Sequence, residues 1–112
     1  MPGAVWRVRR ASTFAELRRH GRRVRAGPIT VTWLPAPMGE PPKVAFAIGR
    51  PVGNAVTRNR LRRRLRSIFA ELAPALVPGT YLIGAAPAAA TLDHGDLRRT
   101  LSTALSDLAR TG

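Results

Sequence analysis

Six arginines occupy nine consecutive positions of one predicted helix: Arg58, Arg60, Arg62, Arg63, Arg64 and Arg66. A guanidinium presents a planar fork of donors that suits phosphate oxygens and can also stack on a base. At about 100° per residue, Arg58, Arg62 and Arg66 form an i, i+4, i+8 stripe. Arg60 and Arg64 line the opposite flank, and Arg63 points outward. Same-sign i, i+4 pairs destabilise a helix by ~0.2–0.5 kcal/mol each, so the three pairs here cost roughly 1 kcal/mol, a strain that bound phosphates relieve. A solvated helix face would intersperse acids, yet none lies between Glu40 and Glu71. Asn59, inside the cluster, carries both a donor and an acceptor and can read a base edge or a 2′-hydroxyl; the plain alternative is a surface asparagine. The chemistry these residues suit is a grip on a polyanion.

Bond-breaking chemistry has no comparable signal. A protein nuclease site needs carboxylates or histidines to hold metal or move protons, and no paired carboxylates or nucleophile-base set is present. Residues 49–53 are too short, and wrongly patterned, for a phosphate-cradling loop. His20 reads as a helix C-terminal residue suited to the helix dipole. His94 lies beside Asp93 and Asp96 in a capping turn rather than in a metal site. No catalytic residue and no metal site is therefore expected in the chain.

The 112 residues allow one domain, 1–112. The net charge of +13 points to a polyanionic partner. Residues 1–66 hold sixteen of the nineteen basic residues, so the charge is concentrated in one part of the chain. Arg7, Arg9, Arg10, Arg22 and Arg23, together with Arg25, are candidates for accessory phosphate contacts, with plain solvation the alternative for any one of them. The absence of cysteine excludes disulfides and thiolate metal sites. The apolar run at 81–90 is too short to span a bilayer and Pro87 interrupts it. Residues 1–25 are arginine-rich and acid-poor, as transit peptides are, but a folded reading fits them better. The expected location is the cytoplasm, with no membrane contact and no protein partner.

The elements that must position the arginines follow from periodicity. Thr13 and Glu16 have capping-box spacing, and Gly21 can end a first helix near 13–20. Residues 29–33 alternate as a strand with Ile29, Val31 and Trp33 on the core side. After a proline-rich loop at 35–42, residues 43–48 form a second strand with Val44, Phe46 and Ile48 on one face, and the two strands look like a hairpin with a long tip. Leu61, Leu65, Ile68, Phe69 and Leu72 give the arginine helix one apolar stripe, and Pro74 stops it. Tyr81-Leu82-Ile83 is short and wholly apolar, hence central in a sheet. Asp93 can cap a last helix carrying Leu97, Leu101, Ala104, Leu105 and Leu108. The expected class is α+β: a two-layer sandwich of one small mixed sheet and three helices, in the order α-β-β-(β)-α-β-α.

The segment Val44-Ala45-Phe46-Ala47-Ile48, followed by Val52-Gly53-Asn54-Ala55-Val56-Thr57-Arg58-Asn59-Arg60 and further arginines at fixed offsets, resembles the signature of the bacterial ribonuclease P protein subunit. The likeness extends less sharply to residues 7–10, to Thr13-Phe14 with Leu17 and His20-Gly21, and to residues 81–83. It implies a ribonucleoprotein that removes the 5′ leader of precursor tRNA, with hydrolysis performed by an RNA subunit and Mg2+ held mainly by RNA. It also implies that the basic helix lies in a left-handed crossover between parallel strands, against the usual rule, and docks on the ribonuclease P RNA through Arg58, Asn59, Arg60, Arg62, Arg63 and Arg66. A second surface, a cleft between the first helix and the sheet, would hold the leader at Phe14, Arg18, Thr30 and Thr32. The family often carries aromatics at the positions of Arg18 and Thr32, and an arginine near Gly84-Ala85-Ala86, which this chain lacks; Arg18 can substitute by stacking its guanidinium. Two other readings use the same charge: a structural ribosomal RNA-binding protein and a DNA-compacting protein.

Overall fold

Three arginines in five residues do not prevent a strand when the remaining two side chains are apolar and share its inner face. In the computed structural model, which describes residues 6–7, 19–35 and 41–111, Arg22–Ala26 (β2) follows the short β1 (Trp6–Arg7) and turns Val24 and Ala26 toward the core. A two-residue turn, Gly27-Pro28, joins β2 to the antiparallel β3 (Ile29–Pro35). Gly27 has φ +54°, the left-handed conformation that two-residue hairpins require and that glycine adopts without penalty. This is the additional strand left open in the expected order.

The remaining elements are β4 (Lys43–Ala47), α1 (Ala55–Leu72), β5 (Gly79–Ala85) and α2 (His94–Thr111). The five strands run in the spatial order β1-β4-β5-β3-β2. The hairpin expected between residues 29–33 and 43–48 does not form: β5 inserts between them, antiparallel to β3 and parallel to β4. The physical reason is burial. Tyr81 and Ile83 are 2% and 0% exposed beneath the helices, and a strand this apolar takes the centre of the sheet, as its composition suggested. The parallel crossover is therefore β4–α1–β5. The described residues hold two α-helices rather than the three expected. Arg19 and His20 are helical, and residues 13–18 of the expected first helix lie outside the described residues.

Both long helices start on a side-chain cap. The Asn54 Oδ1 accepts from the Thr57 N–H at 2.9 Å, and the Asp93 Oδ1 accepts from the Asp96 N–H at 2.8 Å. α1 gives way at Leu72 to a single 3-10 turn holding Pro74, which has no N–H to continue the ladder. Leu61, Leu65, Ile68 and Phe69 of α1, with Leu97, Leu101, Ala104, Leu105 and Leu108 of α2, are buried against one face of the sheet. Ile29, Val31, Val44, Tyr81 and Ile83 form that face. The Phe69 and Tyr81 rings meet edge to face, centroids 5.3 Å apart, locking α1 over the central strand. Trp33 and Phe46 are half-buried at the margins of this core, on the side that alternation predicted.

Candidate nucleic-acid interface

The leucine stripe that buries α1 also decides which arginines face outward. Arg60 and Arg63 are exposed and Arg58, Arg62, Arg64 and Arg66 half-buried, each lying along the rim of the apolar face. Among the described residues none of the six pairs with a carboxylate; Glu71, the one acid of α1, pairs with Arg98 of α2. Positive charge is thus left unneutralised on an element that is itself rigidly packed.

The six guanidinium groups are not equivalent. The Arg62 Nη1 donates to the Asn59 Oδ1 at 2.6 Å, so Asn59 orients its neighbour and keeps its amide N–H groups unused. Arg66 lies over the Phe46 ring, its guanidinium carbon 5.7 Å from the ring centroid, within cation–π range. Arg64 reaches the other way: its Nη2 donates to the Leu92 carbonyl at 2.8 Å and ties α1 to the segment entering α2. Arg58 has a buried Nε–H with no acceptor. Arg60 and Arg63 stand clear of such contacts. Arg62 and Arg66 are thus held in place by neighbours, and among the described residues Arg64 alone of the six donates to a backbone carbonyl.

The opposite face of the sheet is different in character. Pairing puts Arg23 beside Thr32 and Leu82 in one row, and Arg25 beside Thr30, Gly84 and Ala47 in the next. These residues line an open cleft of about 350 Å3 with a small-residue floor and two arginines on its edge strand. A Cβ on Gly84 would meet only ordinary contacts, nearest at 3.8 Å, so the floor is shallow there. Thr30 is half-buried and Thr32 is 8% exposed. Arg22, one residue from Arg23, points to the other side of the sheet, its guanidinium carbon 5.9 Å from the centre of the Trp33 ring. Phe14, Arg18, Arg9 and Arg10 lie outside the described residues, and Arg7 contributes backbone pairing to β1 beside Val44.

The family model described as ribonuclease P matches residues 3–109. The chain belongs to the ribonuclease P protein family. A ribonuclease P protein component of Beutenbergia cavernae is 36% identical over 106 residues, covering 94% of this chain and 89% of that one. The component of Micrococcus luteus is 42% identical over 108 residues, with 83% and 82% covered. Among solved structures, the RNase P protein of Staphylococcus aureus superposes with a TM-score of 0.84 at 17% identity, covering 92% and 94% of the two chains. That of Thermotoga maritima gives 0.78 at 20% identity, with 88% and 94% covered. These two share the fold: a ribonuclease P protein sandwich of small mixed sheet and helices.

Within this ribonuclease P protein, two features escaped the sequence reading. Arg25 joins Arg23 and Thr30 at the cleft, which the alternation of β2 would have revealed once Gly27-Pro28 was read as a turn. The tether from Arg64 to Leu92 joins residues 28 apart, and nothing local in the sequence signals it.

Proposed function

We infer that this chain is the protein subunit of ribonuclease P, serving tRNA processing by binding the catalytic RNA through α1 and the 5′ leader of precursor tRNA through the open sheet face. Hydrolysis belongs to the RNA subunit. The observation that carries the reading is the set of five arginines, 58, 60, 62, 63 and 66, presented on a packed helix without acidic partners among the described residues. Phosphates supply the missing negative charge and relieve the like-charge strain of the helix.

Arg62 and Arg66 are pre-oriented by Asn59 and Phe46, so binding costs little side-chain ordering there. The cleft takes a single strand through Arg23 and Arg25 on its edge, while its floor of Thr30, Leu82 and Gly84 lets the backbone approach closely. In this reading Phe14 and Arg18 supply stacking. Among the described residues no three His, Cys, Asp or Glu side chains gather to hold a metal. Magnesium is assigned to the RNA and the substrate phosphates, whose anionic oxygens it prefers. The reaction compartment is the cytoplasm.

Reconstitution tests the reading. The purified chain should let a compatible bacterial ribonuclease P RNA cleave precursor tRNA at magnesium concentrations too low for the RNA alone. Absence of stimulation would overturn it. Phe14→Ala should erase the preference for leader-bearing over mature tRNA while leaving RNA-subunit binding intact. Co-sedimentation with ribosomes and indifference to the leader would instead favour a structural ribosomal role.

A further inference from the structure

On the helix side of the sheet, far from the cleft, β2, β3 and β5 meet the C-terminal half of α2 around a second cavity of about 290 Å3. Its walls are apolar: Leu76, Val77, Leu105, Leu108 and the Tyr81 ring. Two polar groups interrupt them, Arg22 and Trp33, both among the lining residues. The Arg22 Nη1 and the Trp33 Nε1 are buried and have no hydrogen-bond partner. A buried donor without an acceptor costs about as much as a lost hydrogen bond, more for a charged group. Two such donors at one cavity call for an acceptor from outside the chain.

Tyr81 does not supply the negative charge that Arg22 lacks. Its hydroxyl donates to the Val77 carbonyl at 2.7 Å. Burial pushes its pKa up to about 12, with the neighbouring Trp33 indole opposing the rise but falling short of hydrogen-bond geometry. The phenol is therefore neutral, and Arg22 is the single charged group among the described lining residues. Among the described lining residues there is no acid.

We propose that this cavity is a binding site for a small apolar carboxylate, whose oxygens accept from Arg22 and Trp33 and whose hydrocarbon body fills the space between Leu76, Leu105 and Leu108. A carboxylate fits better than a phosphate on two counts. Its single charge matches one guanidinium, and its two coplanar oxygens can serve two separate donors. A dianion would remain half-compensated among apolar walls, which is costly. The volume lies at the lower end for ligand pockets, so the occupant is fragment-sized. The site does not depend on the RNA-binding reading, because it uses neither α1 arginines nor the cleft.

The chain has two tryptophans, Trp6 and Trp33, so an amide-correlation spectrum contains two indole N–H signals, assignable with Trp6→Phe. Titration with 4-isopropylbenzoate should shift the Trp33 signal saturably and leave the Trp6 signal in place. The matching 4-isopropylbenzamide should bind about tenfold to a hundredfold more weakly, the range a charge-assisted hydrogen bond supplies. Acetate at equal ionic strength should do the same, because it lacks the apolar body. Arg22→Gln should abolish the preference of acid over amide. The wild-type series needs no variant, so it decides the matter even if that substitution unfolds the chain. Equal, unsaturating shifts of both indole signals, or amide binding as tight as acid, would overturn the proposal.

Discussion

Arg60 and Arg64 lie four residues apart on the same flank of one helix, yet they should fail in opposite ways when replaced by alanine. Arg60 is exposed with no partner, whereas Arg64 donates to the Leu92 carbonyl at 2.8 Å. If five α1 arginines each neutralise a phosphate, the logarithm of RNA affinity falls with the logarithm of salt at a slope of about −3.5 to −4.5, and each lost contact removes about 0.7–0.9 from it. Arg60→Ala should therefore flatten the slope by that amount and leave thermal stability nearly unchanged. Arg64→Ala should keep the slope but lose a charge-assisted, half-buried hydrogen bond, a cost of about 1.5–3 kcal/mol. For a chain of this size that corresponds to a fall in Tm of at least about 6 °C. Filter binding to the ribonuclease P RNA across a salt series, paired with calorimetry, reads both quantities. A slope change in Arg64→Ala equal to that of Arg60→Ala, at unchanged Tm, would refute the division of α1 into ligand-facing and fold-facing arginines.

Other perturbations follow from the same geometry. Leu65→Ala empties a fully buried position between the α1 stripe and the sheet and should cost about 2–5 kcal/mol in denaturant unfolding. A Cβ on Gly79 would run into the Trp33 Nε1 and lie 2.8 Å from the Leu34 carbonyl oxygen. Gly79→Ala should therefore destabilise by about 1–3 kcal/mol or more, with the Trp33 fluorescence altered. Tyr81 is the one tyrosine, so tyrosinate absorbance follows it alone and should rise near pH 12 rather than at the ordinary 10.0. Because the folded pKa is raised, the unfolded chain loses this proton first. The stabilisation is full below pH 10 and is lost as pH climbs from 10 toward 12. Asn59→Ala frees the Arg62 guanidinium and should weaken RNA binding by a few-fold without changing the salt slope, since no charge is lost.

Period-3.6 patterning located both helices and their buried faces, because Leu61, Leu65 and Leu101 repeat in register with the helix itself. The Asp93 cap and the central place of β5 were legible for local reasons too: a short acceptor before an apolar helix, and a strand apolar on both faces. β2 was harder to read. Arg22-Arg23-Val24-Arg25-Ala26 looks like a charge run, and only pairing with β3 shows that its small apolar residues face inward. Once the strand is recognised, adjacent arginines must part company, which is why Arg22 reaches the helix-side cavity and Arg23 the cleft. The false hairpin between residues 29–33 and 43–48 has a different source. Chain proximity favoured it, while the true neighbour of both strands is a segment that comes more than thirty residues after β4, and no local signal announces such an insertion. At the interface, charge and spacing marked the arginine helix, whereas its internal division depends on long-range contacts.

The late arrival of β5 has a consequence for biosynthesis. Until residue 85 has left the ribosome, β3 and β4 each present an unsatisfied edge, and α1 has no completed sheet to rest on. A chain truncated at about residue 78 and released would expose its densest cationic segment beside two sticky strand margins, a combination prone to association with nucleic acid and with other copies. Translation of the final third therefore acts as the step that turns a hazardous polycation into an ordered cationic surface.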